Sequence, residues 1–249
     1  IEEARPAYDY DKDITVFMTD WLDQSPEGII PQIRDEQPQT AAVKTPVQGG
    51  EPFPGTTPFN IDVNYPGYLM NGKSVDDPWT MQVKQGDRLR LRLINGSTAT
   101  FFRVQLEDHE MEIIAADGQP VVPTKAGNVV LAIAERYDVL VTIRKSGSFT
   151  LDAAALGTTR KVAGVLHTAG ASKKPTSGMP TWTGRAGGVA DYAALQSPFP
   201  TILPEGPVKT FDIELGGLMK RYLWSMAGEY YPEPFVPEGD AGPLRINYG

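Results

Sequence analysis

Cysteine is absent from this 249-residue sequence. Disulfides, thiolate nucleophiles and thiolate-bound metals are thereby excluded, and the absence suits an oxidising compartment without requiring one. Histidine is nearly absent as well. His109 and His167 are the only two, too few for most imidazole metal sites and a strain on any Ser-His-Asp triad. No apolar run approaches the ~18 residues of a membrane span. Basic residues are outnumbered, 23 Lys and Arg against 31 Asp and Glu, for a formal net charge of −8. That balance argues against nucleic acid or an anionic membrane as the main partner, since both require clustered positive charge. A Gly-x-Ser-x-Gly nucleophile elbow and a glycine-rich phosphate loop are also missing. The chain opens on Ile1, not Met, with no signal-like apolar segment at its start. A processed product, a fragment or an excised domain is therefore expected.

What is present is punctuation. Twenty-five glycines and 22 prolines are spread along the chain, separating short apolar or alternating runs, the pattern of an all-β sandwich. Ile14–Asp20 reads as a first strand. Lys84-Gln85-Gly86-Asp87 turns the chain into Arg88–Ile94, where Leu89, Leu91 and Leu93 alternate with Arg88, Arg90 and Arg92. The leucines should face inward together with Val139, Val141 and Ile143. Phe101–Leu106, Met111–Ala115, Val129–Ala134, Tyr137–Ile143, Ser148–Ala155 and Val162–Thr168 continue the series, and Asn95-Gly96 and Asp117-Gly118 supply turns. The block from Tyr68 to Thr168 has the size of one Greek-key sandwich of ~100 residues. Pro26–Pro66 reads as an irregular, proline-rich excursion. Residues 171–207 read as a linker rich in Gly, Pro, Ser and Thr, with one short helical turn within Val189–Gln196. Thr210–Leu215 alternates again, with Lys220–Ser225 as its expected partner across Gly216-Gly217. This tail is too short to make an independent domain. Phe211, Ile213, Leu215, Tyr222 and Trp224 are expected to pack on the sandwich or on a neighbouring chain.

Five stretches then occur in order: Tyr68-Leu69-Met70-Asn71-Gly72-Lys73; Gly86-Asp87-Arg88-Leu89-Arg90-Leu91-Arg92-Leu93-Ile94-Asn95; His109-Glu110-Met111; Ala116-Asp117-Gly118 with Pro120-Val121; and Glu135-Arg136-Tyr137-Asp138-Val139. Together they resemble the second cupredoxin domain of the multicopper oxidases, the laccase and copper-resistance group. Thr19-Asp20-Trp21 resembles the passage out of that family's first domain. Gly216-Gly217-Leu218-Met219 with Tyr222-Leu223-Trp224-Ser225-Met226-Ala227-Gly228 resembles the opening of its third. The resemblance implies an all-β fold, a cupredoxin-like Greek-key sandwich over residues 1–170 with 26–66 as the excursion, and the first strands of an incomplete cupredoxin domain over 208–249. It implies a periplasmic or secreted protein. It also implies a parent enzyme in which a type 1 copper passes electrons to a trinuclear copper cluster that reduces dioxygen to water. In the family those coppers sit in the first and third domains, bound by Cys and clustered His, and the second domain binds none.

This sequence has no His-x-His pair and no Cys. Imidazole and thiolate are the ligands such copper sites need, so no catalytic, cofactor-binding or metal residue is assigned, with His109 the single weak metal candidate. Its functional reading is a ligand assisted by Glu107, Asp108 and Glu110; the preferred one is a turn histidine satisfied by a backbone group or a carboxylate. His167 reads as a strand-end residue. The seven methionines are dispersed, so they read as core rather than as a Cu(I) tract. Glu135-Arg136-Tyr137-Asp138 reads as a hairpin with a surface Arg–carboxylate pair and a tyrosine covering a sheet edge. Asn95-Gly96-Ser97 fits a glycosylation sequon and reads as a turn, and Lys173-Lys174 as a solvated pair. Two functional readings stand. The chain is a copper-free structural segment of a copper-dependent oxidase, whose partners are the missing cupredoxin domains or a neighbouring copy, or it is a stand-alone cupredoxin-like structural or interaction module. On either, the chain alone should be colourless and take up no oxygen.

Overall fold

The computed structural model describes residues 7–25, 27–29, 63–176, 178–180, 182, 190, 192–200, 202, 206–207, 210–218 and 223–230. The chain divides into two compact units, Ile1–Gln24 with Gln39–Thr201, and Ser25–Pro38 with Ile202–Gly249.

The first unit is a sandwich of eleven described strands: β1 (Lys12–Trp21), β2 (Gly67–Met70), β3 (Thr80–Gln82), β4 (Arg88–Asn95), β5 (Phe102–Leu106), β6 (Met111–Ala116), β7 (Gln119–Ala126), β8 (Val129–Leu131), β9 (Arg136–Thr142), β10 (Ser148–Ala155) and β11 (Lys161–His167). One sheet runs β2-β1-β4-β9-β6-β7 and the other β3-β11-β10-β5-β8. Pairing is antiparallel except for β1 with β4 and β11 with β3.

Register follows from alternation. Ile14 lies opposite Leu91 and Val16 opposite Leu93, and Leu89, Leu91 and Leu93 lie opposite Val141, Val139 and Tyr137. All of these are buried, as is Ile143, so the inward face is the one expected. The facing sheet contributes Phe102, Val104, Leu106, Phe149, Leu151, Ala153, Val162 and Leu166 to the same core. A bulge in β6 between Ile113 and Ala115 lets Ile113 and Ile114 both be buried, as an extra residue in one strand allows.

Two differences concern what the sequence pattern leaves out. Strand β7 has no counterpart in the sequence pattern, and it carries Pro120 and Pro123. Its place at the sheet edge is where proline is tolerated. It is joined to β6 by Asp117 and Gly118, both at positive φ (49° and 80°), the backbone of a two-residue hairpin turn. Strand β3 is three residues long and follows Pro78, too short to show a period. The short helical turn is found at Tyr192–Ala194. Ala190, Leu195 and Gln196 of the expected linker lie against the sandwich: Val122 N–H donates to Gln196 O, Ala190 N–H to Asn128 O, and Ala190 and Leu195 pack on the core.

The second unit carries β12 (Leu215–Leu218), β13 (Leu223–Met226) and β14 (Glu229–Tyr230) in one antiparallel sheet. Here the expected register is corrected. The strand starts at Leu215, not Thr210, and Gly216 and Gly217 lie within it, opposite Ser225 and Trp224, rather than in a turn. A Cβ on Gly216 would stand 2.7 Å from Ser225 Oγ, so glycine there permits close pairing. Residues 219–222, Tyr222 included, fall outside the described residues. Leu215, Trp224 and Met226 are exposed, and Phe211 is partly covered.

Candidate functional site

His109 sits in the turn between β5 and β6. Its N–H donates to Leu106 O at 3.1 Å, and the turn is closed by Asp108 at a φ of 59°, a left-handed conformation that aspartate tolerates. The imidazole is only 6% exposed. Its ring lies edge-on to Phe149 with centroids 4.5 Å apart. Nδ1 meets Glu107 O at 2.6 Å, so Nδ1–H donates, and Nε2 is left as a buried lone pair with no partner among the described residues. Burial holds the ring's pKa below its ordinary value, against the opposing pull of the Glu107 carbonyl. The ring is thus held in the turn through one nitrogen by a backbone group, with burial favouring its neutral form.

The neighbouring carboxylates are committed elsewhere. Glu107 accepts from Lys173 Nζ at 2.6 Å, and from the Thr150 N–H and hydroxyl. Burial pushes its pKa up, but these donors outweigh that and leave it below the ordinary carboxylate value. Asp108 pairs with Lys145 at 3.1 Å and Glu110 with Lys125 at 3.4 Å. A metal ion at His109 would have to take each carboxylate from a lysine.

His167 lies opposite Ser148 and contacts Thr168 O through Nδ1 at 3.3 Å. Phe149, which carries His109, belongs to the core face of β10. By alternation His167 is on the opposite face of that sheet. Two imidazoles on opposite faces, in a chain with no thiolate, do not fit a type 1 or a trinuclear copper centre. Among the described residues no cluster of three or more His, Cys, Asp or Glu is placed to hold a metal.

Glu135, Arg136, Tyr137 and Asp138 do not form one cluster. Tyr137 is 1% exposed and lies in the core, not over a sheet edge, because its strand position alternates onto the face opposite Leu93. Arg136 pairs with Asp117, and Glu135 Oε2 accepts the Ala132 N–H at 2.6 Å. Asp138 faces outward and joins an ionic row across β1, β4 and β9. Asp13 takes two bonds of 2.6 Å from Arg92, and Asp138 takes bonds of 3.0 and 2.5 Å from Arg90. The Arg92 hydrogen bond holds the Asp13 carboxyl below its ordinary range. Arg90 is itself buried, beneath the Tyr10 ring at 5.7 Å. The arginine face of β4 is therefore partly covered, although it is not the core.

Asn95 is fully buried. Its amide donates to Thr100 O, Leu131 O and Ala132 O, and Oδ1 accepts the Ser97 N–H. Asn95 is the last residue of β4, so the Asn-Gly-Ser triplet ends a strand, and its amide is not offered to solvent. Asp20 organises the same corner by accepting from the Thr98 and Ala99 N–H groups and the Thr98 and Thr100 hydroxyls.

A third group of charges escapes the sequence pattern because it is embedded in apolar strands. On the outer face of the second sheet lie Arg103 and Gln105 of β5, Thr150 and Asp152 of β10, and Lys161 of β11, all buried. Lys161 Nζ and Asp152 Oδ1 are 2.7 Å apart. Period-two spacing of polar residues was the available signal, hidden because these strands are buried on both faces.

The sandwich agrees with what the comparisons find. The multicopper oxidase family profile matches residues 12–172, and the chain belongs to that family. It is similar to multicopper oxidase MmcO of Mycobacterium tuberculosis, 30% identical over 246 residues, 96% of this chain and 47% of that one. It is similar to copper resistance protein A of Escherichia coli at 28% identity over 64% of this chain and 30% of that one. In fold it matches the crystal structure of Fet3p, a multicopper oxidase that functions in iron import, with a TM-score of 0.63 and 17% identity over 90% of this chain and 40% of that one. The chain thus spans less than half the length of these relatives.

Proposed function

We propose that this chain is the copper-free central segment of a multicopper oxidase that oxidises a reductant such as Cu(I) or a phenol and passes the electrons to dioxygen, forming water. The observation that carries the reading is the mismatch between family and donor set: a family sandwich whose two imidazoles face opposite sides of a sheet, with the carboxylates around His109 bound to lysines. Copper in the parent enzyme is held by polypeptide outside these 249 residues, and this segment supplies structure and partner surfaces. It is inactive alone. The parent works in the periplasm or outside the cell, which fits a chain without cysteine thiols to protect.

The experiment is copper analysis of the purified chain after dialysis against a chelator, with absorption in the blue-copper region and oxygen uptake on phenol and Cu(I). The expected result is no stoichiometric copper, no colour and no uptake. Stoichiometric copper retained by a sample with no second chain overturns the reading. The alternative, a stand-alone copper-free module, is separated by the mass of the natural protein: 27.2 kDa supports the module, and a mass well above it the oxidase.

A further inference from the structure

Among the described residues, the charges on the outer face of the second sheet do not cancel. Lys161 is neutralised by Asp152 at 2.7 Å, and Lys173 by Glu107 at 2.6 Å. Arg103 is left over. It is 6% exposed, and among the described residues no carboxylate pairs with it. Its Nε–H donates to Asn128 Oδ1 at 2.8 Å, and the Trp182 ring lies 4.1 Å from the guanidinium carbon. Asn128 is itself buried and anchored through its carbonyl by the Ala190 N–H.

This is a built arrangement, not a stray surface arginine. An indole under the plane and an amide oxygen on Nε fix the orientation of the guanidinium. Of its five N–H donors, the Nε one is used by Asn128; one N–H from each Nη lies along the terminal edge of the fork, the pair that a planar two-oxygen anion matches. Burial alone moves its pKa down, the direction opposite to that which an adjacent carboxylate would give. A buried cation without a counter-charge is unstable unless something pairs with it.

We propose that Arg103, oriented by Asn128 and Trp182, is a carboxylate-binding site on the outer face of the second sheet. The carboxylate lies in the plane of the guanidinium, on the Nη groups, with its hydrocarbon part against the edge of Trp182. It comes from a small organic acid or from an acidic side chain presented by another polypeptide segment. The inference stands apart from the oxidase reading, since it uses no copper and no residue of the His109 turn.

The test uses the 249-residue chain, isotope-labelled for NMR, titrated with sodium benzoate, with N-acetylglutamate α-amide, and with sodium chloride at matched ionic strength. The Arg103 Nε–H signal, assigned by its loss in Arg103→Lys, is expected to move saturably with either carboxylate and not with chloride. Either carboxylate is expected to raise the melting temperature of the wild-type chain and not that of Arg103→Met, which keeps the contact with Trp182 but loses the charge. Should Arg103→Met fail to fold, Arg103→Lys carries the comparison; it keeps the charge without the fork, and its binding is expected to be weaker by about tenfold. Tighter saturation by benzoate assigns the site to a small aromatic acid, and tighter saturation by the glutamate derivative assigns it to a protein side chain. An Nε–H signal that no carboxylate moves in a cooperatively melting wild-type chain overturns the proposal. So does stabilisation that survives undiminished in both variants.

Discussion

At the scale of single residues, space and protonation set the sharpest expectations. Gly164 lies in β11 with no room for a side chain: a Cβ there would stand 2.7 Å from Trp79, 2.8 Å from Met70 Sδ and 3.3 Å from the Trp79 carbonyl. Met70 is fully buried and cannot swing away, so Gly164→Ala should lose about 1–3 kcal/mol, measured by urea melting. His109 gives a pH expectation. Its folded pKa is depressed by burial, so the native state favours the neutral ring and the unfolded state takes the proton first. The contribution is present above about pH 6.5, the unfolded value, and is lost as pH falls toward the folded one. Melting temperatures between pH 7 and 5 should fall more for the wild-type chain than for His109→Phe, which fills the place beside Phe149 without a proton to gain. Parallel pH curves for the two proteins would count against it. The place of His109 in an acidic turn between two strands was readable from the residues around it. Its burial was not, because an acidic turn gives no sign that each of its carboxylates will reach a lysine that is distant in sequence.

At the scale of strands and sheets, the two ionic rows differ from ordinary surface pairs. Lys73–Asp77 is an exposed pair of 2.6 Å, and its removal should cost well under about 1 kcal/mol. Asp152 and Lys161 have side chains only 4% and 3% exposed, so Asp152→Ala would strand a buried ammonium and should cost about 3–5 kcal/mol. The double change Asp152→Leu with Lys161→Met should recover most of that loss, since two apolar groups leave nothing unpaired. Chemical denaturation of the three variants reads the comparison directly, and a double variant no more stable than Asp152→Ala would show that the pair does more than cancel charge. Element by element, the strands with a clean period were legible. Strand β4 came through nearly to the residue, because one inward face and one charged face leave a single register. Strand β7 was hidden by prolines that only an edge position tolerates. The tail strand was placed too early: Phe211 and Ile213 do alternate with Asp212 and Glu214, yet hydrogen bonding to β13 begins at Leu215. Pairing depends on the partner strand, and the alternation of one segment cannot report it.

At the scale of the whole molecule, the three-stranded sheet of the second unit sets the remaining expectation. Leu215 lies opposite Met226, and Gly217 opposite Trp224. Residues opposed across an antiparallel pair share a face, as do residues two apart in one strand, so Leu215, Trp224 and Met226 stand on one side. They are 73%, 54% and 60% exposed. A small sheet with one apolar face is half of a layered structure and needs a second layer to be stable. For these 249 residues alone, a second copy of the chain would supply that layer. The isolated chain should therefore associate as its concentration rises, and Trp224→Ser with Met226→Thr should shift it toward monomer at the same concentration. Sedimentation velocity over a dilution series decides the point. If the wild-type chain is monomeric throughout and the double variant sediments identically, the apolar face is not a contact surface, and the tail sheet is stable without a partner.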